Sequence, residues 1–269
     1  MNGTEVELRP YAVVTGAARG MGAAIAVRLA RDGFDLVLVD APPADLSRVL
    51  GYPLSTVEQL GDVAGICRSA GAAVVVAAAD VRDEQSLRNA VSRIPEGRLH
   101  AAVAVAGIIG GAKSAWEFSK DELDVDLAIN FHGVANLARA CVPALLNAPP
   151  GLGRFLAVVS TAGESGLPRL AGYVSSKHAA LGFIRSLAAD LGPLGVTANA
   201  VLPGSTRTAL LERSAWAYDL AGVEDFAPHQ RLGRLIEPDE VAAAVGWLCS
   251  PDATAVTGAA IRVDGGFVG

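Results

Sequence analysis

Cysteine is scarce in this chain: Cys67, Cys141 and Cys249 stand far apart in apolar, helix-like surroundings. An odd number so spaced offers no disulfide framework, and the three are expected to be buried thiols in a reducing compartment. Histidine is equally sparse. His100, His132, His178 and His229 are scattered, and no Cys/His pair has metal-ligand spacing, so no metal is expected. The chain has no basic run and a formal charge of −6, which argues against nucleic acid or an anionic membrane as a partner. The longest uncharged apolar run, around residues 101–112, is too short for a bilayer and rich in Gly and Ala. The opening MNGTEVELRP is charged and lacks the apolar core of a signal peptide, so a cytoplasmic location is the expectation.

What the chain does have is apolar residues, 51% against 19% charged, over 269 positions. That suits one large domain with a substantial core and excludes disorder. No repeat or low-complexity linker divides it. Strand-like apolar runs alternate with helix-like segments: strands at 11–14, 35–39, 73–79, 101–105, 155–160, 195–200 and 259–263. Helices are expected from the glycine turn to 32, up to about 70, at 83–94, 120–147, from Tyr173 onward, and at 237–249. Because the strands lack a polar face, the alternation predicts an α/β fold: a single doubly wound parallel sheet with helices on both faces.

The first strand runs into Thr15-Gly16-Ala17-Ala18-Arg19-Gly20-Met21-Gly22 and then an Ala- and Leu-rich helix. Strand, glycine turn and helix start are what a pyrophosphate needs, since glycines let the backbone approach and the helix N-terminus offers free N–H groups. The second strand ends at Asp40, about twenty residues beyond the turn. A carboxylate there accepts from both hydroxyls of an adenosine ribose and repels a 2′-phosphate, which favours NAD over NADP. Arg19 is the residue that could instead meet a phosphate. Residues 41–57 are broken by Pro42, Pro43, Gly51 and Pro53 and read as an insertion beside the adenosine end, with Ser55-Thr56 and Glu58 as a helix cap.

The run Phe155-Leu156-Ala157-Val158-Val159 ends on Ser160, and Tyr173 and Lys177 follow four residues apart on one helical face. A phenol titrates near pH ~10 unaided, so it serves as a base at neutral pH only if a fixed positive charge favours the phenolate. Lys177 supplies such a charge. Ser160 can then hold the oxygen of an alcohol or carbonyl while Tyr173 takes or returns its proton. A Tyr-x3-Lys pair also arises by chance, and its neighbours decide its meaning.

Those neighbours make the chain resemble the short-chain dehydrogenase/reductase family over essentially its whole length. The resemblance rests on TGAARGMG at 15–22, Asp80-Val81, Asn130, Ser160, Tyr173, Lys177, PGSTRT at 203–208, and Thr257-Gly258 with Val263-Asp264-Gly265-Gly266. It implies a Rossmann fold, with Tyr173 as acid/base, Lys177 lowering its pKa and holding the nicotinamide ribose, and Ser160 orienting the substrate oxygen. Asn130 would bind a water linking Lys177 to solvent. The cofactor would lie along Gly16, Arg19, Gly20, Met21, Gly22, Asp40, Asp80, Val81, Val105, Ala106 and Gly107, with Pro203, Gly204, Thr206 and Thr208 holding the carboxamide. One departure is Val105, where the family usually carries Asn.

Within the family, GYPLST at 51–56 is similar to the extra loop of a subgroup described as mycofactocin-dependent, whose members retain NAD and pass electrons to a peptide-derived redox carrier. The implied function is hydride transfer between NAD and a small, hydrophobic secondary alcohol or ketone, in a homo-tetramer. The alternatives are a conventional carbonyl reductase using NAD(P)H, and a dinucleotide-sensing protein without chemistry. The substrate pocket is expected among residues 162–170 and the irregular stretch 206–235, a substrate lid, with Leu210, Leu211, Trp216, Tyr218 and Phe226 as apolar candidates that either line the pocket or form the underside of that lid.

Overall fold

The computed structural model describes residues 8–40, 46, 47 and 50–268. Part of the expected insertion, residues 41–45, 48 and 49, therefore lies outside the described residues.

Seven parallel strands form one sheet in the order β3-β2-β1-β4-β5-β6-β7: β1 Tyr11–Thr15, β2 Asp35–Asp40, β3 Val74–Ala78, β4 Leu99–Ala104, β5 Gly153–Val158, β6 Val196–Pro203 and β7 Ala260–Val263. Side chains alternate across such strands. Val13, Val37, Ala102 and Phe155 point into one apolar layer, and Ala12, Val14, Leu36, Leu38, Val103 and Leu156 into the other. Because both faces are buried, the strands read as unbroken apolar runs.

The second layer is covered by α1 (Gly20–Arg31), α2 (Val57–Ser69) and, further along, Pro238–Cys249, through Ile25, Leu29, Leu60, Val245 and Leu248. On the opposite face lie α3 (Glu84–Val91), α5 (His132–Leu145) and α6 (Ala171–Leu191), which bury Leu87, Leu137, Leu181 and Ile184. Each such side chain contributes roughly 1.5–3 kcal/mol of transfer free energy.

Three local readings are corrected. The segment 120–147 is two helices, α4 (Lys120–Asn130) and α5, broken at Phe131, whose φ and ψ are −112° and −60°. Close to that break Gly133 lets the backbone approach Val81, where a Cβ would fall 2.7 Å from Val81 Cγ2. The stretch 206–235 holds a helix, α7 (Ala209–Ala217), and a 3₁₀ segment, Val223–His229, before α8 (Pro238–Cys249). At the start of α2, Thr56 forms its capping box with Gln59, not Glu58.

The chain adds β2 and β3 on one side of β1 and β4 to β7 on the other. Strand order thus reverses between β1 and β4, and loops leaving their carboxyl ends diverge into a crevice, the place where doubly wound sheets hold ligands.

Candidate active site

The crevice floor is the glycine turn between β1 and α1. Gly16 has a φ of +66°, and a Cβ on it would lie 2.7 Å from the Ala106 nitrogen; one on Gly22 would lie 1.9 Å from the Gly16 carbonyl oxygen. Only glycine lets β1, the turn and the end of β4 close this tightly. Arg19, at the N-cap of α1, offers no side-chain cap, so the leading N–H groups of the helix face the groove without one. The groove is lined by Gly16, Arg19, Gly20, Met21, Gly22, Asp40, Asp80, Val81, Val105, Ala106, Gly107 and Thr208, all expected there, and by Ile108 and Ile129. An uncapped helix start, a carboxylate at the end of β2 and apolar walls fit a dinucleotide.

The polar residues of the groove are engaged. Asp40 accepts from the Ala18 N–H (2.9 Å) and the Ser55 hydroxyl (2.6 Å). Arg19 donates to the Pro53 carbonyl at 3.2 Å, which turns it toward the insertion. Asp80 holds Arg82 in a bidentate pair, and the Val81 carbonyl accepts from Asn136. Where the family usually has Asn and this chain has Val105, Thr15 supplies the tie: its Oγ1 accepts from the Val105 and Ala106 nitrogens at 3.1 and 3.3 Å.

The insertion folds down over this groove. Leu46, Leu50, Tyr52 and Leu54 pack with Val81, Ile108 and Ile129, and the Tyr52 hydroxyl accepts the Ile109 N–H at 3.2 Å. Arg213 of α7 lies over the Tyr52 ring at 5.2 Å and over the Trp216 ring at 3.5 Å. Insertion and α7 are thus joined across the mouth of the crevice.

Ser160, Tyr173, Lys177 and Asn130 come together beneath. Ser160 follows β5, its Oγ accepting the Ala162 N–H at 3.1 Å, and its side chain is near enough to the Tyr173 phenol to draw that group's pKa down. Tyr173 and Lys177 share one face of α6, with Lys177 Nζ 5.6 Å from the Tyr173 ring centroid and donating to the Val158 carbonyl at 3.2 Å. Asn130 ends α4, where its Oδ1 accepts the Ile108 N–H at 2.8 Å. Its Nδ2 donates to the Ile108 carbonyl at 3.0 Å and to Ser176 Oγ at 2.9 Å.

The electrostatics differ from the expected tuning. Burial pushes the Tyr173 phenol up to about 12; the Ser160 side chain opposes this, while Asp126 and Tyr52 add to it. Burial also pushes Lys177 down to about 8, against the pull of Asp126. Both groups are buried, and desolvation is the largest cause of each shift. A cavity of about 490 Å³ opens beside Tyr173 and Ser160. Its wall includes Leu167, Leu170, Leu210, Leu211, Tyr218 and Phe226, as well as Pro203, Gly204 and Thr206. Trp216 does not line it; this residue is 57% exposed, stacked outside on Arg213. Ile109 and Phe267 also stand on the wall, outside the stretches expected to line it, because loops far apart in sequence carry them; His229, on the wall too, falls within the expected 206–235.

A glycine turn, a carboxylate at the end of β2 and a Ser-Tyr-Lys-Asn cluster on one crevice define a Rossmann-type oxidoreductase. The chain belongs to the short-chain dehydrogenase/reductase family: the family model described as enoyl-(acyl carrier protein) reductase matches residues 16–268. It is 34% identical over 268 residues to (−)-trans-carveol dehydrogenase of Rhodococcus erythropolis, covering 95% of this chain and 96% of that one. With cyclohexanol dehydrogenase of Rhodococcus sp. (strain TK6) identity is 37%, covering 95% of each. Among solved structures, carveol dehydrogenase of Mycobacterium avium in complex with NAD superposes with a TM-score of 0.88 at 32% identity, over 96% of both chains.

Proposed function

We propose that this chain is an NAD-dependent dehydrogenase of small, hydrophobic secondary alcohols, with Tyr173 as the group that exchanges the substrate proton. The observation that carries the reading is that Ser160 and Tyr173, with Lys177 Nζ 5.6 Å from the Tyr173 ring, stand on an apolar cavity that opens off the dinucleotide groove. NAD, when bound, supplies the hydride acceptor. Ser160 orients the substrate oxygen, and Tyr173 takes the hydroxyl proton on oxidation or gives it to a ketone oxygen on reduction. A phenol held above its ordinary value is protonated at neutral pH, which suits the donating direction. Lys177, as an ammonium, opposes the negative charge that grows on the Tyr173 oxygen when the proton leaves. Asp40 prefers an unphosphorylated ribose; Pro203 to Thr206 wall the cavity and Thr208 borders both spaces, where a nicotinamide would meet the substrate. The roughly apolar wall fits cyclic alcohols of the size that carveol and cyclohexanol dehydrogenases are named for.

The test is ketone formation from a panel of cyclic secondary alcohols in a single turnover of NAD-loaded protein, a readout that does not need the cofactor to exchange. Conversion of several of them is expected, and none with any member would refute the reading. The insertion over the groove, bonded to Arg19 and stacked against Arg213, supports a second, finer statement: NAD is retained between turnovers and reoxidised by a mycofactocin-type carrier in a cytoplasmic homo-tetramer built on α4 and α6. Protein carrying NAD through dialysis is the expected result; cofactor-free protein with fast exchange of added NADH counts against it.

A further inference from the structure

Asp126 stands one helical turn before Asn130 on α4 and is wholly buried. Its Oδ1 accepts the Gly110 N–H at 3.1 Å and a longer 3.4 Å contact from Asn130 Nδ2, while Oδ2 has no partner. A buried carboxylate with one oxygen idle is costly unless a positive charge faces it. The space for it is made by glycines on two sides. A Cβ on Gly110 would fall 2.8 Å from Asp126 Oδ2 and one on Gly172, the residue before Tyr173, 2.5 Å. The carboxylate thus rests against the first turn of α6, whose partial positive charge favours an anion.

Lys177 approaches from the other side. Its Nζ and Asn130 Oδ1 both converge on Gly107, 3.4 and 3.2 Å from where a Cβ would be. The Asn130 amide therefore has its nitrogen toward Asp126 and its oxygen on the side of Lys177.

Resting on the function proposed above, we infer that Asp126, once ionised, is the buried counter-charge of Lys177, a positioning residue that keeps the lysine an ammonium across the Asn130 amide while Tyr173 exchanges its proton. The titratable groups facing it are Lys177 and Tyr173 from α6 and Tyr52 from the insertion; Asn130 and Ser176 are neutral. Burial alone drives Lys177 toward the free amine, and Asp126 is the charge that opposes it. A neutral amine no longer offsets the charge on a Tyr173 phenolate. The same carboxylate also pushes the phenol upward, so turnover mixes two effects of opposite sign. The lysine must be read directly.

The chain has three lysines, Lys113, Lys120 and Lys177. Protein labelled with ¹³C at the lysine ε-carbons gives three signals, and Lys177→Arg assigns the buried one. Asp126→Asn, which keeps an oxygen for the Gly110 N–H, is expected to lower the Lys177 titration by roughly one pH unit or more. Lys113 and Lys120, paired at the surface with Glu122 and Asp124, stay where they are. A Lys177 titration identical in parent and variant overturns the assignment, as does a shift upward. Should Asp126→Asn fail to fold, Asp126→Ser carries the same comparison and the same two outcomes. Because the readout is a lysine titration, its failure is distinct from failure of the dehydrogenase reading, which the alcohol panel decides with the parent chain.

Discussion

Replacing Asp126 by Asn should make stability less sensitive to alkaline pH. The folded chain holds this carboxyl at about 7 against an ordinary 3.8, with burial as the largest cause and the Gly110 N–H, Lys177 and Asn130 opposing it. The sign follows from which state binds the proton more tightly. Below 3.8 the group is neutral in both states and costs nothing beyond its packing. Between 3.8 and 7 the folded chain keeps a proton that the unfolded chain releases, so stability falls as pH rises, and above about 7 the loss is complete. A gap of about three in pKa corresponds to ~4 kcal/mol. Titrating groups away from Asp126, His100 among them, act alike in parent and variant and cancel in the difference, whereas a lowered Lys177 titration adds to the gain with the same sign. Urea unfolding of both at pH 5 and pH 8 reads it. The variant should gain on the parent by about 2–4 kcal/mol across that interval. A difference that does not change with pH would refute the reasoning, because it would mean that the carboxyl ionises in the folded chain as freely as in water.

Asp40→Ala should lower the preference for NAD over NADP by about tenfold or more, since the group that repels a 2′-phosphate is gone; an unchanged ratio of kcat/KM values would exclude Asp40 from that role. Arg213→Ala removes the stack that joins Tyr52 to Trp216, and should speed NADH release several-fold in a fluorescence chase, with equal rates counting against a joined insertion and α7. Thr56→Ala deletes the acceptor for the Gln59 N–H. It should cost about 1 kcal/mol in denaturant unfolding and leave turnover intact; lost turnover would mean that the cap also holds the groove.

The sheet and most of its helices were legible because strands buried on both faces must be apolar end to end and helices packed on one side must repeat at helical spacing. Tyr11–Thr15 and Gly153–Val158 show the first, and Ile25 with Leu29 the second. The break at Phe131 was not legible, since every residue of LAINFHG tolerates a helix and only the approach to Val81 shows where it parts. Ser160, Tyr173 and Lys177 were picked out from motif spacing and Asn130 from the family resemblance, and the structure brings the four together. Asp126 was passed over as one acid in the run KDELDVDL; its place one turn before Asn130 was the available signal. The direction of the Tyr173 shift was beyond the sequence, because desolvation depends on what closes over a side chain, and Leu170, Ile109 and Ala217 come from three separate loops and helices. Trp216 was misread for a related reason: an aromatic residue on an amphipathic helix faces either the cavity or a cation outside it.

The proposed chemistry turns on the Tyr173 hydroxyl, which Tyr173→Phe removes while keeping the ring. Single-turnover oxidation of a cyclic secondary alcohol by this variant, with NAD binding checked by fluorescence, should be slower by about 10²–10⁴-fold at unchanged cofactor affinity. Hydride transfer at the parent rate would contradict it.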